Sequence, residues 1–411
     1  MTVLTLKQLT QSLAGKTVLV REDFNVPLDV TGAITDDTRI QEGMETIQYL
    51  VAQQAKVVIL CHFGRPKGQV VDSMRLAPVA QRLSELLGQA VLYSPNSLEN
   101  YEAFVASVQP GQVALVENTR FLPGEEKNDP ELAKRFATGI DVFVNDAFGA
   151  AHRAHASTEG VAHSVPVAVA GFLMAREIEA LTPLVPGMGQ GPKQPFTAII
   201  GGSKVSTKIT VLENLLNTVQ HLIIGGGMTH TFNLALGGQV GNSLVEKEHV
   251  PTALRLLEQA KAKGVAVHLT SDVVMAQRIA ADAETKLGDS KTIPDGWEGL
   301  DAGPETLKAW EAVIAQSNTI LWNGPVGVFE VAPFAAGTRR IAELLAQATQ
   351  RGATTVLGGG DTVAAIGQFG MNPNAFTHVS TGGGASLEFL EGQVLPGIAA
   401  LNPAPTLVAA G

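Results

Sequence analysis

Residues 197–204 read Thr-Ala-Ile-Ile-Gly-Gly-Ser-Lys, a short apolar run that ends in two glycines and a lysine. Thr197–Ile200 is predicted to be a buried parallel strand. A glycine turn between a strand and a helix lets backbone N–H groups approach a phosphate, and Lys204 and Lys208 add charge beside it. A glycine turn with solvated lysines is the alternative. The core face of the predicted helix is formed by Val205, Ile209, Leu212 and Leu216.

Alternation of strands and helices runs along the whole chain. Such repetition predicts doubly wound parallel sheets, with ligands at the carboxyl ends of the strands. We therefore expect an α/β protein with two doubly wound, Rossmann-like domains and a deep cleft between them. The other predicted strands are Thr17–Val20, Lys56–Leu60, Val113–Val116, Val142–Val144, His221–Ile224, Val265–Leu269, Thr319–Trp322, Thr354–Leu357 and His378–Ser380.

The length of 411 residues is too great for one ordinary hydrophobic core, so two domains are expected. A segment with helical character, Leu173–Leu181, is followed by a proline- and glycine-rich stretch that ends at Pro195. A helix followed by such a loop is typical of an interdomain connector. We place an N-terminal domain at residues 1–173, a hinge helix and linker at 174–195, and a C-terminal domain at 196–392.

Composition argues against several classes of partner. Acidic residues outnumber basic ones by 39 to 29, and the net charge of −10 argues against a general nucleic-acid or anionic-membrane surface. Cys61 is the single cysteine, so an intramolecular disulfide is excluded and a reducing cytoplasm is favoured. The longest apolar stretch, Val165–Ala175, contains a proline and is too short to span a bilayer. We expect a soluble cytoplasmic protein without a signal peptide.

Positive side chains follow the predicted strands of the first half. Because the carboxyl ends of parallel strands share one edge of a sheet, these side chains are expected to converge. Arginine forks bind planar anions such as carboxylate and phosphate, so an anion pocket is favoured over scattered surface arginines. The pocket is predicted from Arg21, Arg39, Arg65, Arg120 and Arg153, with Asp23, Asn25 and His62 beside them.

Two further loops of the second half carry a carboxylate. Gly358–Thr362 follows a strand and opens a helix. Two interpretations of Asp361 stay open: an N-cap that accepts from helix amides, or a carboxylate that holds Mg²⁺ on a nucleotide phosphate. The loop Trp322–Glu330 also follows a strand end, and its spacing alone favours a tight turn over a ribose-binding carboxylate.

Other anion and metal motifs are incomplete. Ala14–Thr17 ends like a phosphate-binding P-loop, but the chain has Thr10 at the required upstream glycine position. The glycine triplets at Gly225, Gly358 and Gly382 lack the third small residue of a dinucleotide fingerprint, which disfavours a dehydrogenase. The pair His152 and His155 lacks a nearby third ligand, which disfavours zinc.

Taken together, the motifs resemble one family, phosphoglycerate kinase. They occur in family order from about Val18 to Gly392, and so many motifs in register exclude chance. They include VLVREDFNVPL, ITDDTRI, CHFGRPKG, ENTRF, PGEEKND, NDAFGAAHRAHAS, IIGGSKVSTKI, LIIGGGM, DGWEGLDAGP, LWNGPVGVFE, GGGDT and STGGGASLEFLEG.

The resemblance implies reversible phosphoryl transfer from 1,3-bisphosphoglycerate to ADP, giving 3-phosphoglycerate and ATP, by direct in-line transfer after hinge closure. It implies catalytic roles for Arg39, Lys204 and Gly383, and Mg²⁺ bound through Asp361. The 3-phosphoglycerate site is implied to contain Asp23, Asn25, Arg39, His62, Arg65, Arg120 and Arg153. The nucleotide site is implied to contain Lys204, Lys208, Gly299, Asn323, Glu330, Gly359, Gly360, Asp361 and Thr362.

The resemblance also implies a monomer, small-molecule substrates only, and a C-terminal segment, 393–411, that returns to the first domain. The departures from the family's pattern are Glu22, Thr119, Ala150 and His230. The alternative function is a non-enzymatic two-domain protein that binds an anion or nucleotide.

Overall fold

The computed structural model describes residues 3–403, and their contacts divide into two compact units. The first unit contains the described residues up to Glu179 and those from Val394 onward, and the second contains Ala180–Gln393. The part of the predicted segment 393–411 that follows residue 403 lies outside the described residues.

A six-stranded, wholly parallel sheet forms the centre of the first unit, with strand order β3-β4-β2-β1-β5-β6. Its strands are β1 (Thr17–Arg21), β2 (Lys56–Leu60), β3 (Val91–Tyr93), β4 (Val113–Leu115), β5 (Val142–Asn145) and β6 (Ala168–Ala170). Its helices in this part of the chain are α1 (Thr38–Ala52), α2 (Ala77–Leu87), α3 (Tyr101–Ser107), α4 (Pro130–Ala137) and α5 (Phe172–Leu181), the last of which crosses the limit between the units.

The second unit contains another six-stranded parallel sheet, with strand order β10-β8-β7-β15-β16-β17. Two small sheets accompany it, β12-β11-β14 and β13-β9. The strands are β7 (Phe196–Ile200), β8 (His221–Ile224), β9 (Gln239–Val240), β10 (Ala266–His268), β11 (Asp272–Ala276), β12 (Lys286–Asp289), β13 (Thr292–Ile293), β14 (Glu298–Ala302), β15 (Thr319–Asn323), β16 (Thr354–Gly358) and β17 (His378–Val379). The helices are α6 (Ile209–Leu215), α7 (Met228–Ala235), α8 (Val250–Ala262), α9 (Pro304–Gln316), α10 (Ala336–Gln350), α11 (Gly360–Gln368) and α12 (Gly384–Leu390).

The central strands are apolar on both faces because helices cover both sides of a doubly wound sheet. Val18–Val20 and Val57–Leu60 are fully buried in the first unit, and all of Phe196–Ile200 is buried in the second. The predicted α/β class with two parallel sheets is confirmed. None of the helices within residues 3–403 combines the length and apolar character needed to cross a bilayer.

One further helix, α13 (Pro396–Ala399), belongs to the first unit. Gly397 is hydrogen-bonded on both sides: its N–H donates to the Ala151 carbonyl at 2.9 Å, and its carbonyl accepts from Asn145 Nδ2 at 2.9 Å. The described end of the chain thus packs next to β5, at the carboxyl edge of the first sheet.

The prediction for the helix after Lys204 was wrong at its start. The helix, α6, begins at Ile209, so Val205 lies in the preceding turn. Local side-chain bonds explain the delay, because hydroxyl and backbone partners compete with helical hydrogen bonds. Ser206 donates from its backbone N–H to Glu246 at 2.9 Å, and Thr207 Oγ1 donates to the Lys204 carbonyl at 3.0 Å.

Candidate active site

The predicted anion residues of the first unit lie on loops after β1, β2, β4 and β5. These four strands are neighbours in the parallel sheet, so their carboxyl ends share one edge. Asp23 and Asn25 follow β1, His62 and Arg65 follow β2, and Arg120 and Arg153 follow β4 and β5. Arg39 reaches the group from the first turn of α1.

Direct contacts connect several of these residues. Arg39 Nη1 donates to Asp23 Oδ2 at 2.8 Å. The peptide of Gly64 connects two others: its N–H donates to Asn25 Oδ1 at 2.9 Å, and its carbonyl accepts from Arg120 Nη1 at 2.7 Å. Asn25 and Arg120 therefore hold the loop that carries His62 and Arg65.

The remaining two arginines are less constrained. Arg65 is exposed, on the loop that contains Gly64. Arg153 Nε donates to His152 Nε2 at 3.0 Å, and both residues are half-buried. An exposed guanidinium keeps its fork available for a planar anion.

Positive charge dominates the electrostatics of this group. His62 is 5 % exposed, and burial lowers its pKa well below the ordinary value, with Arg21, Arg120, Arg153 and Arg39 lowering it further. Burial and neighbouring arginines also lower the pKa of His155 to about 4. Both imidazoles are therefore neutral at pH 7, and the arginines supply the charge that attracts an anion.

A buried network that the sequence analysis missed lies beneath this cluster. Arg21 is fully buried and its Nε donates to Ser157 Oγ at 2.8 Å, and Ser157 donates in turn to Glu125. The only sequence signal was the placement of Arg21 at a strand end, since Glu125 lies in a charged stretch that resembles a surface loop.

The second unit contains a cavity of about 310 Å³ at the carboxyl edge of its sheet. Loops after β7, β15, β16 and β17 line it, and these strands are consecutive in the sheet. The cavity brings together several predicted nucleotide residues with glycines and two residues that were not predicted, Thr207 and Leu387. The predicted residues in its wall are Lys208, Asn323, Gly359, Gly360, Asp361, Thr362 and Gly383.

Glycine backbones make two of these loops interlock. A Cβ on Gly201 would lie 2.2 Å from the Pro325 carbonyl oxygen, and one on Gly324 would lie 2.4 Å from the Gly201 carbonyl oxygen. Gly324 also donates its N–H to Thr362 Oγ1 at 2.7 Å. Residues with a side chain at the two glycine positions would push the loops apart.

Lysine 208 is the principal charged donor in the cavity wall. Its Nζ donates to Asn323 Oδ1. Burial lowers the pKa of Lys208, and the Coulombic effects of Asp361 and Glu391 act in the opposite direction. Asn323 is 1 % exposed, and its Nδ2 makes no hydrogen bond within residues 3–403. A buried, unsatisfied amide donor next to a lysine suits an anionic ligand oxygen.

Two local predictions need correction. Lys204 is exposed in the turn before α6, five residues from the start of that helix, so it does not lie at a helix N-terminus. The N-cap of α11 is Gly359, and Asp361 lies inside the first turn of the helix without a side-chain capping bond. Of the two interpretations of Asp361, the N-cap is therefore excluded.

Three predicted nucleotide residues are not in the cavity wall: Lys204, Gly299 and Glu330. Gly299 is in β14, and its carbonyl accepts from His230 Nε2 at 2.9 Å. Glu330 is exposed and lines a separate surface groove with Arg339 and Phe369.

Comparisons with known proteins agree with this geometry. The model of the phosphoglycerate kinase family matches residues 6–393. The chain belongs to the phosphoglycerate kinase family. It is 54 % identical to a phosphoglycerate kinase of Acaryochloris marina over 97 % of this chain and 99 % of the relative. It is 53 % identical to that of a Picosynechococcus strain over 95 % and 97 %.

Solved structures of the family share the fold. The phosphoglycerate kinase of Coxiella burnetii superposes with a TM-score of 0.88 at 42 % identity, covering 97 % of this chain and 98 % of that one. The enzyme of Pyrococcus horikoshii superposes with a TM-score of 0.79 at 31 % identity and the same coverage. The predicted family, fold class and phosphotransferase activity are thereby confirmed.

Proposed function

We propose that the arginine cluster of the first unit binds 3-phosphoglycerate and that the glycine-lined cavity of the second unit binds the phosphates of ADP or ATP. The observation that carries this proposal is the position of the arginine cluster and of the glycine-lined cavity, each at the carboxyl edge of its own parallel sheet. The chain then transfers a phosphoryl group between 1,3-bisphosphoglycerate and ADP in either direction.

The chemistry matches these two sets of residues. The acceptor in the ATP-consuming direction is a carboxylate, which is already ionised at pH 7, so no general base is required. Positioning and neutralisation of the phosphoryl oxygens remain as the main tasks. The neutral state of His62 agrees with a role in binding, because its lowered pKa gives no group that titrates near neutrality.

The roles of the individual residues are proposed from the family resemblance together with the element that carries each side chain. In the first unit, Arg39, Arg65, Arg120 and Arg153 supply charge, and Asp23, Asn25 and His62 supply hydrogen bonds to the triose. In the second unit, exposed Lys204 and the Gly383 amide contact the transferring phosphoryl group, and Lys208 contacts the nucleotide phosphates. Gly299 and Glu330 serve the adenosine part, outside the phosphate cavity.

Asp361 fits the Mg²⁺ that the family resemblance implies. Its carboxylate is exposed, lines the cavity and is not used to cap α11. Magnesium prefers oxygen ligands and is commonly held by one or two carboxylates together with substrate phosphates. When bound, the ion would neutralise phosphate charge, and Lys208, which also lines the cavity, would add a second positive charge.

Direct in-line transfer requires that water be excluded from the phosphoryl group. Hinge closure, the predicted cleft, a monomeric state and a cytoplasmic location stay predictions from the sequence and the family resemblance. The net charge of −10 supports the prediction that neither nucleic acid nor an anionic membrane is a partner.

A coupled assay tests the proposal. Wild-type protein should phosphorylate 3-phosphoglycerate with ATP and Mg²⁺, and Arg39→Ala and Lys204→Ala should each lower kcat/KM by roughly 10²- to 10³-fold. Lys134→Ala and Arg278→Ala are matched controls, since both side chains are exposed surface cations paired with a nearby acid. Binding of both ligands without turnover supports the alternative of a binding protein, and full activity in both site variants contradicts the assignment.

A further inference from the structure

The guanidinium of Arg21 is fully buried, and its geometry determines where the proton of His62 lies. Arg21 Nη2 is 3.1 Å from His62 Nδ1. A guanidinium has donors only, so Nδ1 must be the acceptor. The pKa of His62 is lowered by burial and by four arginines, so the ring is neutral and its one proton is on Nε2.

The position of Arg21 is itself controlled by a chain of hydrogen bonds. Arg21 Nε donates to Ser157 Oγ at 2.8 Å, and Ser157 Oγ donates to Glu125 Oε1. The third nitrogen, Nη1, donates to the Glu22 carbonyl. Along the path from Arg21 Nε through Ser157 Oγ to Glu125, both donors point toward Glu125, so each of these two bonds strengthens the other.

Glu125 is the buried end of this chain. It is fully buried, and its two oxygens accept from Ser157 Oγ, from the Ser157 N–H at 3.0 Å and from Thr119 Oγ1 at 3.1 Å. Within residues 3–403, Arg21 forms no direct ion pair, so Glu125 is the carboxylate that the chain connects to the buried cation. A buried charge without such compensation would be costly.

We propose that Glu125 and Ser157 are positioning residues that act through Arg21: they hold its guanidinium against His62 Nδ1 and so present His62 Nε2–H as a donor to an oxygen of the substrate anion. The substrate part of this inference rests on the proposed function. Among residues 3–403, His62 Nε2 makes no hydrogen bond, so it is free to donate.

Other charged groups near His62 do not alter this assignment. Arg39 on α1 is engaged by Asp23, and Arg120 after β4 is engaged by the Gly64 carbonyl. Arg153 after β5 donates to His152. Within residues 3–403, Arg21 is thus the one cation that forms a hydrogen bond with the His62 ring.

Nitrogen NMR of the full chain without substrate tests the proton position. With ¹⁵N-labelled histidine at pH 7.5, the His62 ring should show Nδ1 as a bare acceptor and Nε2 as the protonated nitrogen. A ring with its proton on Nδ1, or a charged ring, overturns the proposal. This outcome does not depend on kinase activity, so it is distinguishable from failure of the proposed function.

Two substitutions test the positioning role. Ser157→Ala should broaden or average the His62 ring signals and raise the KM for 3-phosphoglycerate by about 3- to 10-fold, with a smaller change in kcat, as expected for one lost hydrogen bond. Thr119→Val is the matched control, because Thr119 and Ser157 donate to the same Glu125 oxygen but only Ser157 touches Arg21.

Thr119→Val should cost similar stability and leave the His62 spectrum and the KM unchanged. Equal effects of the two variants would mean that the network has a structural role only. If Ser157→Ala does not fold, Glu125→Gln replaces it, and an unchanged His62 spectrum and KM in that variant would equally overturn the proposal.

Discussion

In the first unit the candidate site consists of long charged side chains, whereas in the second unit it consists largely of backbone. Arg39 reaches its site from the first turn of α1, and Arg120 and Arg153 reach it from the segments after β4 and β5. Their partners are a carboxylate, a carbonyl and a histidine. The glycine-lined cavity of the second unit has five glycines in the loops after β7, β15 and β16, and two of these, Gly201 and Gly324, interlock without room for a Cβ. The difference indicates that the first site tolerates changes in its side chains without loss of the fold, and that the second does not tolerate added volume.

The largest effect is expected from Gly201→Ala. A Cβ would lie 2.2 Å from the Pro325 carbonyl oxygen, which is backbone and cannot rotate away. We expect a loss of at least about 3 kcal/mol in the free energy of unfolding of the second unit, with loss of activity. Tryptophan fluorescence during denaturation measures this, because Trp297, Trp310 and Trp322 all lie in that unit.

Gly367→Ala is the control for this substitution. Gly367 lies in α11, and nothing is within 4 Å of the Cβ that would be added. Since alanine is the better helix former, the variant should be more stable by about 0.5–1 kcal/mol. If Gly201→Ala unfolded at the same denaturant midpoint as the wild type, the conclusion that the second site does not tolerate added volume would be wrong.

Arg39→Ala should show the opposite pattern, loss of activity without loss of the fold. The Arg39 side chain is 38 % exposed and its pair with Asp23 is partly solvated, so the free energy of unfolding should change by less than about 1 kcal/mol. The activity loss of roughly 10²- to 10³-fold is electrostatic. Hydrogen exchange of β1 and α1 amides measures the stability, and a general loss of protection in the first unit would contradict the expectation.

The strands and loops that build both sites were predictable, but the packing between them was not. Runs such as Lys56–Leu60 are rich in β-branched and apolar residues, which predicts a buried strand. Each run is followed closely by a polar or charged residue that can bind a ligand. The sheet β12-β11-β14 was missed because Lys286–Asp289 is charged and exposed, so it has no apolar alternation. The role of Glu125 could not be predicted, because Glu125 lies in a charged stretch that gives no sign of burial. The start of α6 could not be predicted either, because it depends on a hydrogen bond to Glu246, which is distant in the sequence.

The residues that differ from the family's pattern also have surroundings that the sequence does not reveal. Glu22 is 1 % exposed, and burial and Asp146 raise its pKa well above the ordinary value. It fits because Gly43 in α1 has no side chain: a Cβ there would lie 2.8 Å from Glu22 Oε2. The Thr119 hydroxyl donates a hydrogen bond to Glu125, and Ala150 is buried.

Each unit contains a buried aspartate that should affect stability by an amount between the largest and smallest expected effects. Burial raises the pKa of Asp146 to about 6 in the first unit and that of Asp301 to about 7 in the second. Because each folded pKa lies above the unfolded value of about 4, the associated stability is present below pH 4 and is lost as the pH rises through the folded pKa. For Asp146 this loss is about 2–3 kcal/mol by pH 8.

Substitution by asparagine should affect stability differently in the two units near pH 4. Asp146 Oδ1 accepts from the Met174 N–H at 2.9 Å, and its Oδ2 makes no hydrogen bond within residues 3–403, so an amide NH₂ at the Oδ2 position would break no hydrogen bond. Asp146→Asn should therefore be more stable than wild type at pH 8, by about 1–2 kcal/mol, and similar to it near pH 4.

Asp301 differs because both of its oxygens accept backbone N–H groups, from Ala302 at 2.9 Å and Gly337 at 2.8 Å. In Asp301→Asn the amide NH₂ would face one of these donors, which should cost about 1–3 kcal/mol near pH 4. The difference should shrink as the pH rises, because the wild type then loses stability through the raised pKa of Asp301. Denaturation curves between pH 4 and pH 8, followed by hydrogen exchange for β5 and β14, separate the two variants. Equal pH dependence in wild type and Asp146→Asn would contradict the assignment.

The smallest effect is expected from His230→Phe. A carbonyl only accepts, so His230 Nε2 carries the proton that it donates to Gly299, and burial lowers the pKa of the ring, which keeps it neutral. Its Nδ1 is buried without a hydrogen-bonding partner within residues 3–403. Phenylalanine removes one hydrogen bond and one unsatisfied acceptor, two opposing terms of about 1 kcal/mol each, so the net change in stability should be under about 1 kcal/mol. If Gly299 borders adenosine, the KM for ADP should change by less than about 5-fold, since the ring contacts the strand and phenylalanine keeps a flat aromatic ring at that position. A loss of nucleotide binding would instead mean that the imidazole itself contacts the ligand.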